Sequence, residues 1–217
     1  MTETGWRSLR EAYASLVVVA AAGICLNILI LLTTICTKSL PSTAHILIGC
    51  CAFFDILHEI GHFIQFPILF SEYYIHSFTC SCMQFIPVLG RSAAVICSFC
   101  IGIDRMLCML DAVVYERMKK KHLHAYYVLS VLLFCIWTAF LMIVNWTPKL
   151  EICTMLAPFH GDSRVLLWNT ISGIYILISL IYFITWQTVK WTGDAASQTS
   201  NNVYTTITIV MIVEVST

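Results

Sequence analysis

Charge is what this sequence has least of. Its 217 residues include 12 Lys and Arg against 12 Asp and Glu, 11% of the chain, and the two signs cancel. Soluble domains carry about 25% charged residues, so a soluble fold of this length would lack the charge to cover its surface. Zero net charge with no basic face in prospect excludes a nucleic-acid partner. A hydrophobic content of 59% excludes a disordered chain. Two-residue alternation is missing as well, which excludes the strands of a membrane barrel, and there is no internal repeat or low-complexity tract. What remains is a membrane protein.

Length bounds the number of spans. A transmembrane helix takes about 20 apolar residues, so five or six fit and seven would be tight. The polar residues Glu3, Arg7, Arg10 and Glu11 precede an uncharged run over 12–36, too long for the apolar region of a cleavable leader. A second run, 43–70, contains Asp55, His58, Glu59 and His62; a third, 80–110, contains Arg91 and Asp104-Arg105. Uncharged runs follow at 125–146 and 165–189. The last apolar piece, 203–217, has 15 residues, too few to span, and reads as a helix cut off partway. Irregular backbone is not viable against lipid. The expected fold is therefore an all-α transmembrane bundle in one domain, 1–217, with five full helices plus the start of a sixth.

Loop charge sets the expected orientation. Lys38, Arg117, Lys119, Lys120, Lys121 and Lys190 fall on one side, and Arg7, Arg10, Lys149 and Arg164 on the other. The positive-inside rule then puts the N-terminus outside. The 117–121 cluster also suits attraction to anionic lipid. Most of the 11 cysteines sit inside apolar runs, as small buried hydrophobes; Cys80, Cys82 and Cys153 stand elsewhere. Asn145-Trp146-Thr147 is a glycosylation sequon that hugs the membrane and is expected to be used poorly.

The sharpest local pattern is His58-Glu59-Ile60-Gly61-His62. On a helix its two imidazoles lie one turn apart and can share a zinc ion, with the glutamate as general base. An intramembrane zinc metalloprotease is therefore an alternative reading. It needs a third ligand, and the nearest counterpart of a Leu-Asp-Gly is Leu110-Asp111-Ala112, at the opposite membrane face from the histidines. The balance favours two helix histidines facing the bundle interior.

A second pattern is spread along the chain: Asn27 after Gly23, Asp55 after Ala52, Cys80, Asp104-Arg105-Met106 with Arg105 25 residues after Cys80, Trp137, Cys153 and Tyr182. In this order the residues resemble the landmarks of rhodopsin-like seven-helix G-protein-coupled receptors. Asp55-Ile56-Leu57-His58, Gln84-Phe85-Ile86-Pro87 and Gly102-Ile103-Asp104-Arg105 make the chain most similar to the nematode chemosensory serpentine receptor class sx. That resemblance implies a polar network of Asn27 and Asp55, often with a sodium ion, and no other cofactor. It implies a disulfide joining Cys80 to Cys153, with Cys82 a rival for the first position. It gives Asp104, Arg105 and Tyr115 to a switch that meets a heterotrimeric G protein. It places Gln84, Pro87, Arg91, Glu59 and His62 around a pocket for a small-molecule or peptide ligand, and the receptor in the plasma membrane. Arg91, about 21 Å along the helix from Arg105, is also free to pair with Glu59 or His62.

The chain departs from the pattern at Met106, at Ala112, in a fifth helix without proline, and at its end. Half of helix six and all of helix seven are expected to be missing. The chain is thus expected to be a receptor rather than an enzyme. A truncated fragment that does not signal is the second alternative.

Overall fold

The computed structural model describes residues 3–36, 43–71, 73–110, 115, 123–144 and 146–193. The expected elements at 117–121, 203–217 and Asp111-Ala112 lie outside these residues. Five helices dominate: α1 (Glu3–Cys36), α2 (Thr43–Phe70), α3 (Ser77–Leu110), α4 (Leu123–Val144) and α5 (Asp162–Gly193). All five are long and apolar enough to cross a membrane.

The helices outrun the apolar runs, because helix formation continues into the polar boundary. α1 takes in Arg7, Arg10 and Glu11, all good helix formers. α5 opens on Asp162 and carries Lys190 in its last turn, each at the end where the helix dipole favours its charge.

α3 is the axis of the bundle. It packs against α2, α4 and α5, while α1 packs on α2. Ser92 through Ser98 are all buried, so this stretch faces protein on every side. Small residues make the close approach possible, as between helices in lipid generally. A Cβ on Gly90 would sit 2.9 Å from the Phe54 carbonyl oxygen and 3.0 Å from the His58 backbone nitrogen. By contrast Val18, Ile35, Leu132, Ile136, Ile143 and Ile176 are each more than half exposed. Hydrocarbon, not water, is the solvent for these outer faces.

One end of the bundle is tied together. Two short strands that the all-α reading did not include, β1 (Ile75–His76) and β2 (Leu150–Glu151), pair antiparallel with Ile75 opposite Glu151. Two-residue strands outside the spans leave no periodic signal in the sequence. Ser77 locks the same junction: its amide donates to the Lys149 carbonyl at 2.9 Å and its hydroxyl to the Thr147 carbonyl at 2.9 Å. Cys80 and Cys153 form a disulfide across a Cα separation of 5.4 Å, and Cys82 is an exposed free thiol. Trp6 of α1 meets Tyr74 edge to face at 6.1 Å, placing the start of α1 at this disulfide end.

Candidate functional site

Asp55, His58, Glu59 and His62 follow one stripe of α2, at i, i+3, i+4 and i+7. Ionisable groups in a span face partners rather than lipid, and here the stripe divides between two neighbours. Glu59 is buried and turns to α1. Its carboxylate lies where a Cβ of Gly23 would be, and it is hydrogen-bonded to Asn27. Asp55, His58 and His62 all feel the charge of Arg91 on α3.

Two expected pairings are therefore redrawn. Asn27 hydrogen-bonds Glu59 rather than Asp55, because the missing side chain at Gly23 opens room for the longer carboxylate. Asp55 instead accepts from the Cys51 thiol at 3.6 Å, and that sulfur lies 3.4 Å from the Ser98 hydroxyl. Arg91 does not pair with Glu59. Its guanidinium lies over the Tyr175 ring of α5, 5.5 Å from the centroid, a cation–π contact that leaves its charge acting on α2.

Further along α3, Gln84 and Pro87 meet α2 where Gly61 lacks a side chain. A Cβ there would stand 2.7 Å from Pro87 Cβ and 3.0 Å from Gln84 Oε1, and would collide with the Met155 methyl. Gln84 is fully buried and its amide nitrogen donates to the Gly61 carbonyl at 3.5 Å. Five side-chain polar atoms of α2 and α3 are buried: His58 Nδ1, Glu59 Oε2, His62 Nδ1, Gln65 Nε2 and Gln84 Oε1. None has a hydrogen-bond partner among the described residues. Leaving such atoms unpaired costs about 1–3 kcal/mol each.

His58 and His62 are neighbours on one face of α2. Their rings stand edge to face, 70° apart with centroids at 5.4 Å. Among the described residues no three His, Cys, Asp or Glu side chains come together to hold a metal ion.

The loop from 146 to 161 closes the disulfide end. Cys153, Ala157, Phe159 and His160 are buried. Glu151 lies between Lys149, at 3.2 Å, and His160, at 3.8 Å, while the His160 Nδ1 lies 3.3 Å from the Thr147 hydroxyl. Burial, helped by Lys149 and Arg164 and opposed by Glu151, holds the His160 imidazole below its usual value.

At the opposite end of α3, Asp104 is buried. It accepts hydrogen bonds from the hydroxyls of Tyr115, at 3.0 Å, and Tyr127, at 3.4 Å. The Tyr115 phenol is pushed up to about 12, first by burial and then by the Asp104 carboxylate, so it remains a donor throughout the physiological range. Both rings pack with Leu47, Ile96, Cys100, Ile101 and Leu123 in one apolar cluster. Arg105 follows at the half-buried edge. Tyr182 of α5 approaches α3 at Gly102, 3.9 Å from where a Cβ would be. Trp137 stacks on Phe134 at 5.3 Å.

Sequence reasoning missed Tyr127, Tyr175, Gln65 and Met155. Tyr127 alone carried a signal, as an amphipathic aromatic where the fourth apolar run begins.

Residues 20–217 match the family described as serpentine type 7TM GPCR chemoreceptor Srsx. No curated protein matches the chain.

Proposed function

The chain belongs to the Srsx family of serpentine seven-helix chemoreceptors, and on that premise we propose that it couples an external ligand to a cytoplasmic heterotrimeric G protein. The observation that carries this reading is the buried Asp104 clasped by Tyr115 and Tyr127 beside Arg105. Two phenols hold the carboxylate in place, and Arg105 stands where a partner on the cytoplasmic face reaches it. A two-state element of this kind is biased by any ligand that binds one arrangement better than the other.

The proposed ligand site is the α2–α3 seam at His62, Gln84, Pro87 and Arg91, with Glu59 on the α1 side of α2. Its chemistry favours a small molecule or peptide terminus rich in hydrogen-bonding groups, since acceptors and donors are both left unmet there. A sodium ion beside Asp55 fits incompletely. Hard cations take oxygen donors, and the carboxylate's hydrogen-bond donor is the Cys51 thiol, with Ser98 one step beyond and the Arg91 charge already acting on it. The receptor is oriented with its disulfide end outside, where disulfides persist, in the plasma membrane.

The test is nucleotide exchange. Membranes bearing the chain are mixed with purified G-protein heterotrimer, and uptake of a non-hydrolysable GTP analogue is followed without ligand. Asp104→Asn is expected to raise basal exchange severalfold, and Arg105→Ala to bring it to the level of empty membranes. Equal exchange in wild type, both variants and empty membranes would remove the coupling role.

A further inference from the structure

An ionisable cluster at the disulfide end takes no part in the proposed ligand site. His160 is buried where the loop rejoins the bundle, and its ring ties the two ends of the loop together: Nδ1 lies 3.3 Å from the Thr147 hydroxyl. Its Nε2 stands 3.8 Å from Glu151 Oε1, beyond hydrogen-bond range, while Lys149 holds the other oxygen of that carboxylate at 3.2 Å. Arg164, in the first turn of α5, adds a second cation. His76 on β1 and Asp162 at the start of α5 are exposed. Between the disulfide at Cys153 and His160 runs a strap, 154–159, folded by the Thr154–Ala157 and Leu156–Phe159 turns. The strap carries the Met155 methyl onto Gly61, beside Pro87 and Gln84. Ala157 and Phe159 seat it in two apolar clusters. Past His160 the chain reaches α5 through Gly161, at φ +54° with nothing within 4 Å of a would-be Cβ, a joint with room to turn.

We propose that this strap is an acid-responsive lid on the α2–α3 seam: a proton taken up by His160 from the outer medium frees the strap and withdraws Met155 from Gly61. The lid rests on the ligand-site reading above for what it regulates; its movement needs no ligand. In the closed loop an imidazolium is kept from water and meets Lys149 and Arg164, and the Glu151 carboxylate that opposes them is already engaged by Lys149. An opened strap gives the ring to water. The closed loop therefore binds the proton less well than the open one, and by linkage acid favours opening. The neutral ring has the reverse effect. It keeps its contact with Thr147, and Ala157 and Phe159 then hold the lid shut near neutrality. Opening is confined to the strap, because the disulfide and the bonds from Ser77 to the Thr147 and Lys149 carbonyls involve no group that titrates in this range.

Oxidation of Met155 to its sulfoxide by dilute hydrogen peroxide reads the position of the lid. The full chain in lipid nanodiscs, well below its melting temperature, is treated at pH 7.5 and at pH 5.5 without ligand or G protein, and its peptides are quantified by mass spectrometry. A short methionine peptide in the same tube supplies the intrinsic rate at each pH. Met142, buried in the cluster that seats Phe159, reports global unfolding. Relative to the free peptide, Met155 is expected to oxidise severalfold faster at pH 5.5, with Met142 unchanged. His160→Gln should abolish the difference. Lys149→Gln, at a half-exposed position, serves if His160→Gln does not fold, judged by disulfide formation. It removes a cation that opposes protonation of the closed loop and should shrink the difference. Equal relative rates at the two pH values would overturn the proposal, as would a difference that neither variant changes. So would slower oxidation in acid, the imidazolium then closing on Glu151, and so would Met142 rising in step with Met155. None of these outcomes bears on whether the seam takes a ligand, so the two readings fail separately.

Discussion

The residues that carry the chemistry were legible by type and by place, but their partners were not. Asp55, Asp104 and Arg105 announce themselves because an ionisable group in a membrane helix demands a reason. Which neighbour supplies that reason depends on how helices rotate about their axes, and one sequence does not encode rotation. Glu59 reaches Asn27 only because position 23 is glycine, and Arg91 reaches Tyr175 only because α5 packs beside α3. His160 illustrates a residue whose character comes wholly from folding. Its proton affinity is depressed in the folded chain, so the unfolded chain binds a proton first as pH falls. Stability is therefore full above about pH 6.5, the usual histidine value, and declines as pH drops below it. The melting temperature of purified receptor is expected to fall by a few degrees between pH 7.5 and 5.5, with His160→Gln flattening that slope. An unchanged slope in the variant would assign the acid sensitivity to another group.

At the scale of elements, apolar runs located all five described helices, because the bilayer admits few alternatives for a long uncharged segment. Their ends were less legible, since helix continues into polar residues that lipid does not constrain. The paired strands β1 and β2 were invisible, being set by the disulfide and by Ser77 rather than by residue pattern. Helix contacts make a sharper prediction. Gly90 sits against the α2 backbone, so Gly90→Val should destabilise the bundle by about 1–3 kcal/mol, as overpacking does. Gly173 of α5 has nothing within 4 Å of its would-be Cβ, so Gly173→Ala should leave stability unchanged or raise it slightly. Thermal unfolding of the two variants, side by side in one detergent, measures the contrast; equal losses would contradict the close approach of α2 and α3.

At the scale of the whole molecule, the family was readable from order rather than from any single motif. The His-Glu-x-x-His pattern was the sharpest string in the chain, yet among the described residues no third ligand joins its histidines and its glutamate faces α1. Seven weak landmarks in sequence order outweighed it, because order along a bundle is harder to reach by chance than five adjacent letters. Orientation follows as a test on intact cells. Lys149 is half exposed at the disulfide end, and Lys190 is exposed at the other. A membrane-impermeant amine reagent should modify Lys149 on intact cells and Lys190 only after permeabilisation, read by peptide mass spectrometry; the reverse pattern would invert the receptor.

The loop that carries Cys153 sends Met155 down to Gly61, into the face where Gln84 and Pro87 meet α2. If the α2–α3 seam takes the ligand as proposed above, Met155 is a tethered competitor for it. A molecule that takes that face binds only the fraction of receptors from which Met155 has withdrawn, so its apparent affinity is scaled by that fraction. The disulfide keeps the competitor at high local concentration. Sensitivity is then tuned by the grip of a loop methionine, without any change in the residues that recognise the stimulus.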